Sequence, residues 1–254
     1  PITFGANVST LRFMTPAPAY FTWGDLRPAH RLGLFSSLAF IALMAWDFSG
    51  LDPLVMHAFA DSSGFFARGN WWLDQILHLR AKQFAIVVYL ALLVMVWWPQ
   101  SFLRQLTRLQ RAEIMVGITL SLITISTLKQ FSLTSCPWDL QAFGGPAAYV
   151  SHWRWGVLDG GSGRCFPGGH VSSALAFLAL TLPWLASDLA PQRRIGQRIL
   201  LAVVLCGVVL GTTQTLRGAH YPSHTFWTGF ICWVVAVLNH LVFSEVFKHQ
   251  RRKA

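Results

Sequence analysis

Residues 199–224 read Ile199-LLAVVLCGVVLGTTQTL-Arg217-GAHYPS-His224. The run from Ile199 to Leu216 carries no charge, and it is close to the ~20 apolar residues that cross a bilayer core as a helix. It stops on a short turn holding an arginine and two histidines, and a second apolar run follows from Thr225 to Phe247. Two spans joined so closely form an antiparallel pair with the turn at one membrane surface. Working outward, four further runs have the same character: Leu32–Phe48, Ala81–Trp98, Ala112–Leu128 and Val171–Ala186. The expectation is an all-α polytopic membrane protein with six transmembrane helices over residues 32–247. A cytoplasmic N-terminal arm (1–31) and a basic cytoplasmic tail (248–254) would flank it.

Composition agrees. Of 254 residues, 54% are hydrophobic and 12% charged, with Trp 12 and Phe 19; a soluble domain carries about 25% charge. Disordered chains and ordinary cytosolic enzymes are excluded. The excess of Lys+Arg 20 over Asp+Glu 10 would suggest nucleic acid in a soluble protein. Beside apolar spans it points instead to lipid headgroups or a phosphate-bearing ligand. No removable leader is expected in residues 1–31, which lack an apolar core followed by a small-residue cleavage site.

The basic residues also set an orientation. Arg68, Arg80, Lys82, Lys129, Arg154, Arg164 and Arg217 fall on one side of the six-span arrangement, and the other 13 of the 20 fall on the opposite side. Under the positive-inside rule both termini are then cytoplasmic. The 49–80, 129–170 and 217–224 segments then face outward, into a periplasm or an equivalent space.

All the unusual chemistry lies on that outward side. Lys129-QFSLTS-Cys136-Pro137 leaves the third span, Arg164-Cys165-Phe166-Pro167-Gly168-Gly169-His170 enters the fourth, and Arg217-GA-His220-YPS-His224 joins the fifth to the sixth. Because the spans alternate in direction, the three segments meet at one surface. A Pro-Gly-Gly-His turn before a helix offers backbone N–H groups to an anion. Lys129 and Arg217 add positive charge suited to phosphate oxygens. Imidazole supplies a nucleophile or a proton carrier near neutral pH. The i, i+4 pair His220 and His224 could also ligate zinc, but no acidic residue or third ligand stands nearby in sequence, and metal-free phosphate chemistry fits better.

These segments resemble the signature of the type-2 phosphatidic acid phosphatase (PAP2) superfamily, whose pattern is K-x6-R-P, P-S-G-H and S-R-x5-H-x3-D. Here the wording is K-x6-C-P, P-G-G-H and H-x3-H, in the same order and at the same span ends. The combination C-P, P-x-G-H and R-G-A-H-x-x-S-H is similar to that of a bacterial membrane-associated branch. The resemblance implies a lipid phosphatase in which His220 takes the phosphoryl group and His170 protonates the leaving oxygen. Lys129, Gly168 and Gly169 would hold the phosphate, with Arg217 and Arg164 supplying charge lost elsewhere. His224 stands where an orienting aspartate is expected, Cys136 and Gln214 where arginines are, and Gly168 where serine is.

The implied reaction needs no cofactor and no metal, only a lipid phosphate substrate in a surrounding membrane; nucleic acid is not an expected partner. Undecaprenyl pyrophosphate, phosphatidylglycerophosphate, phosphatidic acid and lipid A are the candidate classes. A phosphotransferase using the same site and a non-catalytic lipid-binding or transport protein are the alternatives. Cys136 and Cys165 each lie inside a motif, so convergent motifs could bring them within disulfide reach; two free thiols are the other reading. Asp139 and Asp159 read as solvated loop charges.

Overall fold

The computed structural model describes residues 28–253, with the side chains of residues 30–246. The expected N-terminal arm therefore lies, apart from its last residues, outside the described part. Helix α1 (Pro28–Phe48) ends at a Ser49-Gly50 turn, where Gly50 adopts φ 72° before the short α2 (Leu51–His57). A small hairpin follows, β1 (Ala60–Asp61) against β2 (Gly64–Phe65). The chain then enters a π-helical segment, Trp72–Arg80, continuous with α3 (Ala81–Val94). Helix α4 (Arg108–Phe131) opens on a capping box in which Thr107 and Gln110 satisfy each other's backbone N–H groups. Arg111 donates to the carbonyls of Val96, Leu103 and Leu106, fastening the α3–α4 connection.

After the long 132–171 loop the chain runs through α5 (Ser172–Leu175), a 3₁₀ stretch (Ala176–Thr181) and α6 (Leu182–Leu185). Helices α7 (Ala190–Leu216) and α8 (Pro222–Lys253) complete the bundle. Apart from the hairpin, one isolated bridge and the connecting loops, the described residues are helical.

Among the described residues, five helices are long and apolar enough to cross a membrane: His30–Phe48, Trp72–Val94, Arg108–Phe131, Ala190–Leu216 and Pro222–Val246. Two expectations change. The second span starts nine residues before Ala81, because the 72–80 stretch is helical rather than loop. The fourth expected span, Val171–Ala186, is a shorter apolar rod, Ser172–Leu185. Its neighbours explain why it needs no lipid-facing length. Val171, Leu175, Ala176, Leu178, Ala179, Leu182 and Trp184 are all buried against α4, α7 and α8. It is the bundle's core, apolar all round as a helix enclosed by others must be. The outward faces of α1, α3, α4 and α7 carry the exposed residues Phe40, Ile41, Phe84, Val87, Leu90, Ile123, Leu205 and Val208, the inverse of a water-soluble surface.

A second, smaller core sits at the end of the bundle where the hairpin and the long loop meet, formed by Met56, Ala60, Phe65, Leu140, Phe143, Ala147 and Tyr221. The loop is an ordered cap. Asp159, expected to be solvated, is buried and accepts from the Ser135 N–H, the Ser135 hydroxyl and the Gly161 N–H. Asp47 of α1 binds His152, Trp153 and Trp227 through one oxygen, tying the loop to α1 and α8.

Candidate active site

The turn between α7 and α8 is shaped by its sequence. Gly218, at φ 75°, is the left-handed residue after α7. Its N–H reaches Thr215 O, and the Ala219 N–H reaches Gln214 O. This is the Schellman arrangement, which favours glycine at that position. The turn buries His220. Pro222 then opens α8, where a missing N–H costs nothing. Asp52, from α2, accepts the Ser223 N–H and so caps α8 from outside.

His220 faces a cavity of about 550 Å³ shared with Lys129 from the end of α4, Gly169 and His170 from the turn before α5, and Gln214 from α7. Below them the cavity continues along Ala85, Ile86 and Tyr89 of α3, Leu122 of α4 and Phe177 of the buried rod. It is a pocket with a polar head and an apolar flank. A larger groove of about 660 Å³ between α1, α7 and α8 is lined by Gly207, Gly211 and Gly229 among apolar residues and holds no titratable group.

His220 Nδ1 lies 3.4 Å from His224 Nδ1 and 3.3 Å from Cys165 Sγ. The nitrogen left for a ligand is Nε2. Burial, with the Lys129 charge adding to it, pushes the imidazole down to about 3, so it is neutral at physiological pH. His224 is fully buried and off the cavity, and its Nε2 has no protein partner. It touches His220, never the cavity. Cys136 and Cys165 are joined as a disulfide with Cα atoms 5.1 Å apart, fixing motif one against motif two. Their sulfurs and an imidazole nitrogen of His220 lie within 4.8 Å of one another. Bonded to each other, the sulfurs are not the thiolates in which cysteine ligates metal.

His170 has a fixed tautomer. Its Nε2 lies 3.0 Å from Leu77 O, and a carbonyl only accepts, so Nε2 carries the proton and Nδ1 keeps a lone pair. Nδ1 is buried without a protein partner. Burial first, then the nearby His78, moves His170 down to about 4. Gly169 packs on the Lys129 side chain, where a Cβ would stand 3.0 Å from Lys129 Cδ.

Three expected ligands stand elsewhere. The Gly168 N–H is spent on His224 O, 3.2 Å away, so this glycine braces α8 instead of offering a donor. Arg164 is exposed and lies outside the cavity lining; its backbone N–H bonds Ser132 O at 2.7 Å. Arg217 is buried but turned away from the cavity, with Nη2 on Asp74 Oδ1 and Nη1 2.9 Å from His78 Nδ1. An acidic partner on the preceding π-helical segment outcompetes the cavity for that guanidinium.

Sequence reasoning missed His78 and Lys82, which line the cavity from the π-helix and the first turn of α3. The available signal was the Asp74, His78 and Lys82 spacing of four, one helix face, hidden because 72–80 read as a loop. Gln214, at the position of an expected arginine, is buried with its Nε2 unpartnered.

Comparison with curated proteins and with solved structures gives no match. The PAP2 superfamily model matches residues 112–248, more than half of the chain, from the first turns of α4 to nearly the end of α8. That stretch holds Lys129, Gly169, His170 and His220, side chains drawn from three separate segments onto one cavity. The chain belongs to the PAP2 superfamily.

Proposed function

We propose that the chain is a lipid phosphatase acting on a phosphomonoester or pyrophosphate at the outward face of a bacterial inner membrane, through a phosphohistidine. Membership of a superfamily of phosphatases and phosphotransferases supports the reaction class. The observation that carries the reading is the convergence of Lys129, His170 and His220 at the polar head of a cavity whose flank is apolar. A phosphate would sit at the head and a hydrocarbon tail along Ile86, Leu122 and Phe177.

His220 Nε2 attacks phosphorus in line, with its Nδ1 proton donated to His224 Nδ1; the Nε2–P bond forms as the P–O bond to the lipid breaks. The negative charge of a bound phosphate favours the protonated form of His170; Nδ1, having taken a proton from water as the substrate binds, gives it to the leaving oxygen. Water then attacks the phosphohistidine and passes a proton to His170 Nδ1, which restores the acid for the next cycle. A neutral His224 orients the nucleophile but gives no carboxylate charge to the developing imidazolium. Lys129 and the unspent Gln214 amide stabilise the charge on phosphorus oxygens.

The test is phosphate release from a panel of lipid phosphates by purified protein. His220→Ala is expected to lower turnover by about 10³-fold or more while eluting as a folded species in detergent, and the parent protein should yield an acid-labile, base-stable phosphoenzyme. Full activity of the alanine variant would overturn the reading. Phosphoenzyme without free phosphate, with label passed to a second lipid, would mark a phosphotransferase.

A further inference from the structure

We propose that His78 and Lys82, on the π-helix and the start of α3, form a second phosphate-binding edge of the cavity, with His78 locked as an Nε2–H donor by Arg217. The inference rests on reading the cavity as a phosphate site. It deepens that reading by naming ligands outside the three motifs.

The tautomer follows from the partner. A guanidinium has five N–H donors and no acceptor, so the 2.9 Å contact from Arg217 Nη1 requires an unprotonated Nδ1 on His78. The ring is therefore neutral with its proton on Nε2, the nitrogen left over on a side chain that lines the cavity. Arg217 is in turn held by Asp74 Oδ1, one helical turn before His78. Asp74, Arg217 and His78 thus form a chain of three that leaves one N–H donor on the cavity-lining ring. The His78 ring packs edge-on against His170, with centroids 4.3 Å apart, which places the ring beside the expected acid.

Charge arithmetic supports the same edge. Arg217 and Arg164 do not line the cavity, and cysteine and glutamine stand at the two expected arginine positions. Lys129 and Lys82 are the lysine or arginine side chains among the lining residues. Lys82 follows His78 by four residues, on the same face of one continuous helix. A π-helical segment is an uncommon distortion found frequently at functional sites, and here it sets the register of this face. Arg217 thereby acts at one remove, as a positioning residue.

The probe is vanadate binding to the full-length purified protein, which needs no turnover. His78→Leu is expected to weaken binding about tenfold, the loss of one hydrogen bond to a charged ligand. His78→Gln, whose amide nitrogen can stand near the Nε2 position, should stay within about threefold of the parent. Lys82→Gln should weaken binding and flatten its salt dependence. Nitrogen-15 histidine spectra of the parent protein should show His78 protonated at Nε2 alone between about pH 6 and 8. Parent-like binding by His78→Leu, equal losses in the leucine and glutamine variants, or a proton on Nδ1 would each overturn the proposal. Should the leucine variant fail to fold, the glutamine variant and the spectra decide. His78-dependent vanadate binding by a protein that turns over no lipid phosphate would sink the hydrolase reading and leave this one standing; turnover with His78-independent binding would do the reverse.

Discussion

At the scale of single residues, the site is built from histidines held neutral. His170 at about 4 and His220 at about 3 both lie below the 6.5 of a free imidazole, chiefly through burial. The unfolded chain therefore binds protons between pH 6.5 and about 4 that the folded chain refuses. Stability is full above the unfolded value and is lost as pH falls through that window, with little further loss from these two groups below about 3. The expected outcome is a thermal midpoint that falls on acidification from about pH 7 to 4, with the fall reduced in a His170→Gln variant; an unchanged slope in that variant would contradict the assignment. Lys129, Gly169, His170 and His220 could be nominated from sequence by their places in the motifs, while Arg164 and Arg217 were misplaced. Motif spacing says which segments converge. It does not say which way a side chain turns, and Asp74, whose carboxylate redirects Arg217, lies 143 positions away in the chain.

At the scale of elements, the α7–α8 turn is held by a contact no motif records. Gly218 sits at φ 75°, and a Cβ there would stand 2.3 Å from Phe65 Cδ2 of the β-hairpin. Its carbonyl also accepts the Trp138 N–H at 2.9 Å. Gly218→Ala is therefore expected to cost about 1–3 kcal/mol from backbone strain, with the collision adding to it, and to displace His220. A lowered thermal midpoint together with a lowered turnover would bear this out; unchanged values for both would not. Spans one, three, five and six were legible because uninterrupted apolar runs leave little choice of structure. The 72–80 stretch was not, since Asp74, His78 and Arg80 break its apolar pattern, and its helix becomes visible only once Arg217 is seen to satisfy Asp74 and His78 from another element. The Val171–Ala186 run was legible as apolar. Its shortness has a tertiary cause, enclosure by α4, α7 and α8, which no local pattern carries.

At the scale of the whole molecule, the cap and the bundle are stitched at one end. The Cys136–Cys165 bond, the Asp159 hub and the three donors on Asp47 all lie in or beneath the 132–171 loop. Orientation is the matching large-scale proposal. Single-cysteine labelling from outside, in a background without the native cysteines, is expected to modify position 162 and spare position 108. The reverse pattern would invert the molecule and move the site to the other compartment.

The membrane stretch of α3 has no buried residue, and a polar bond there, Tyr89 to Thr119 at 2.8 Å, links it to α4. The cavity lies along this exposed helix, so its apolar flank is close to the surrounding acyl chains. A reactant drawn from that side never leaves the bilayer. Its effective concentration is then a mole fraction in two dimensions, set by how crowded the leaflet is with it, and adding inert detergent or lipid slows the reaction although nothing in the aqueous volume has changed.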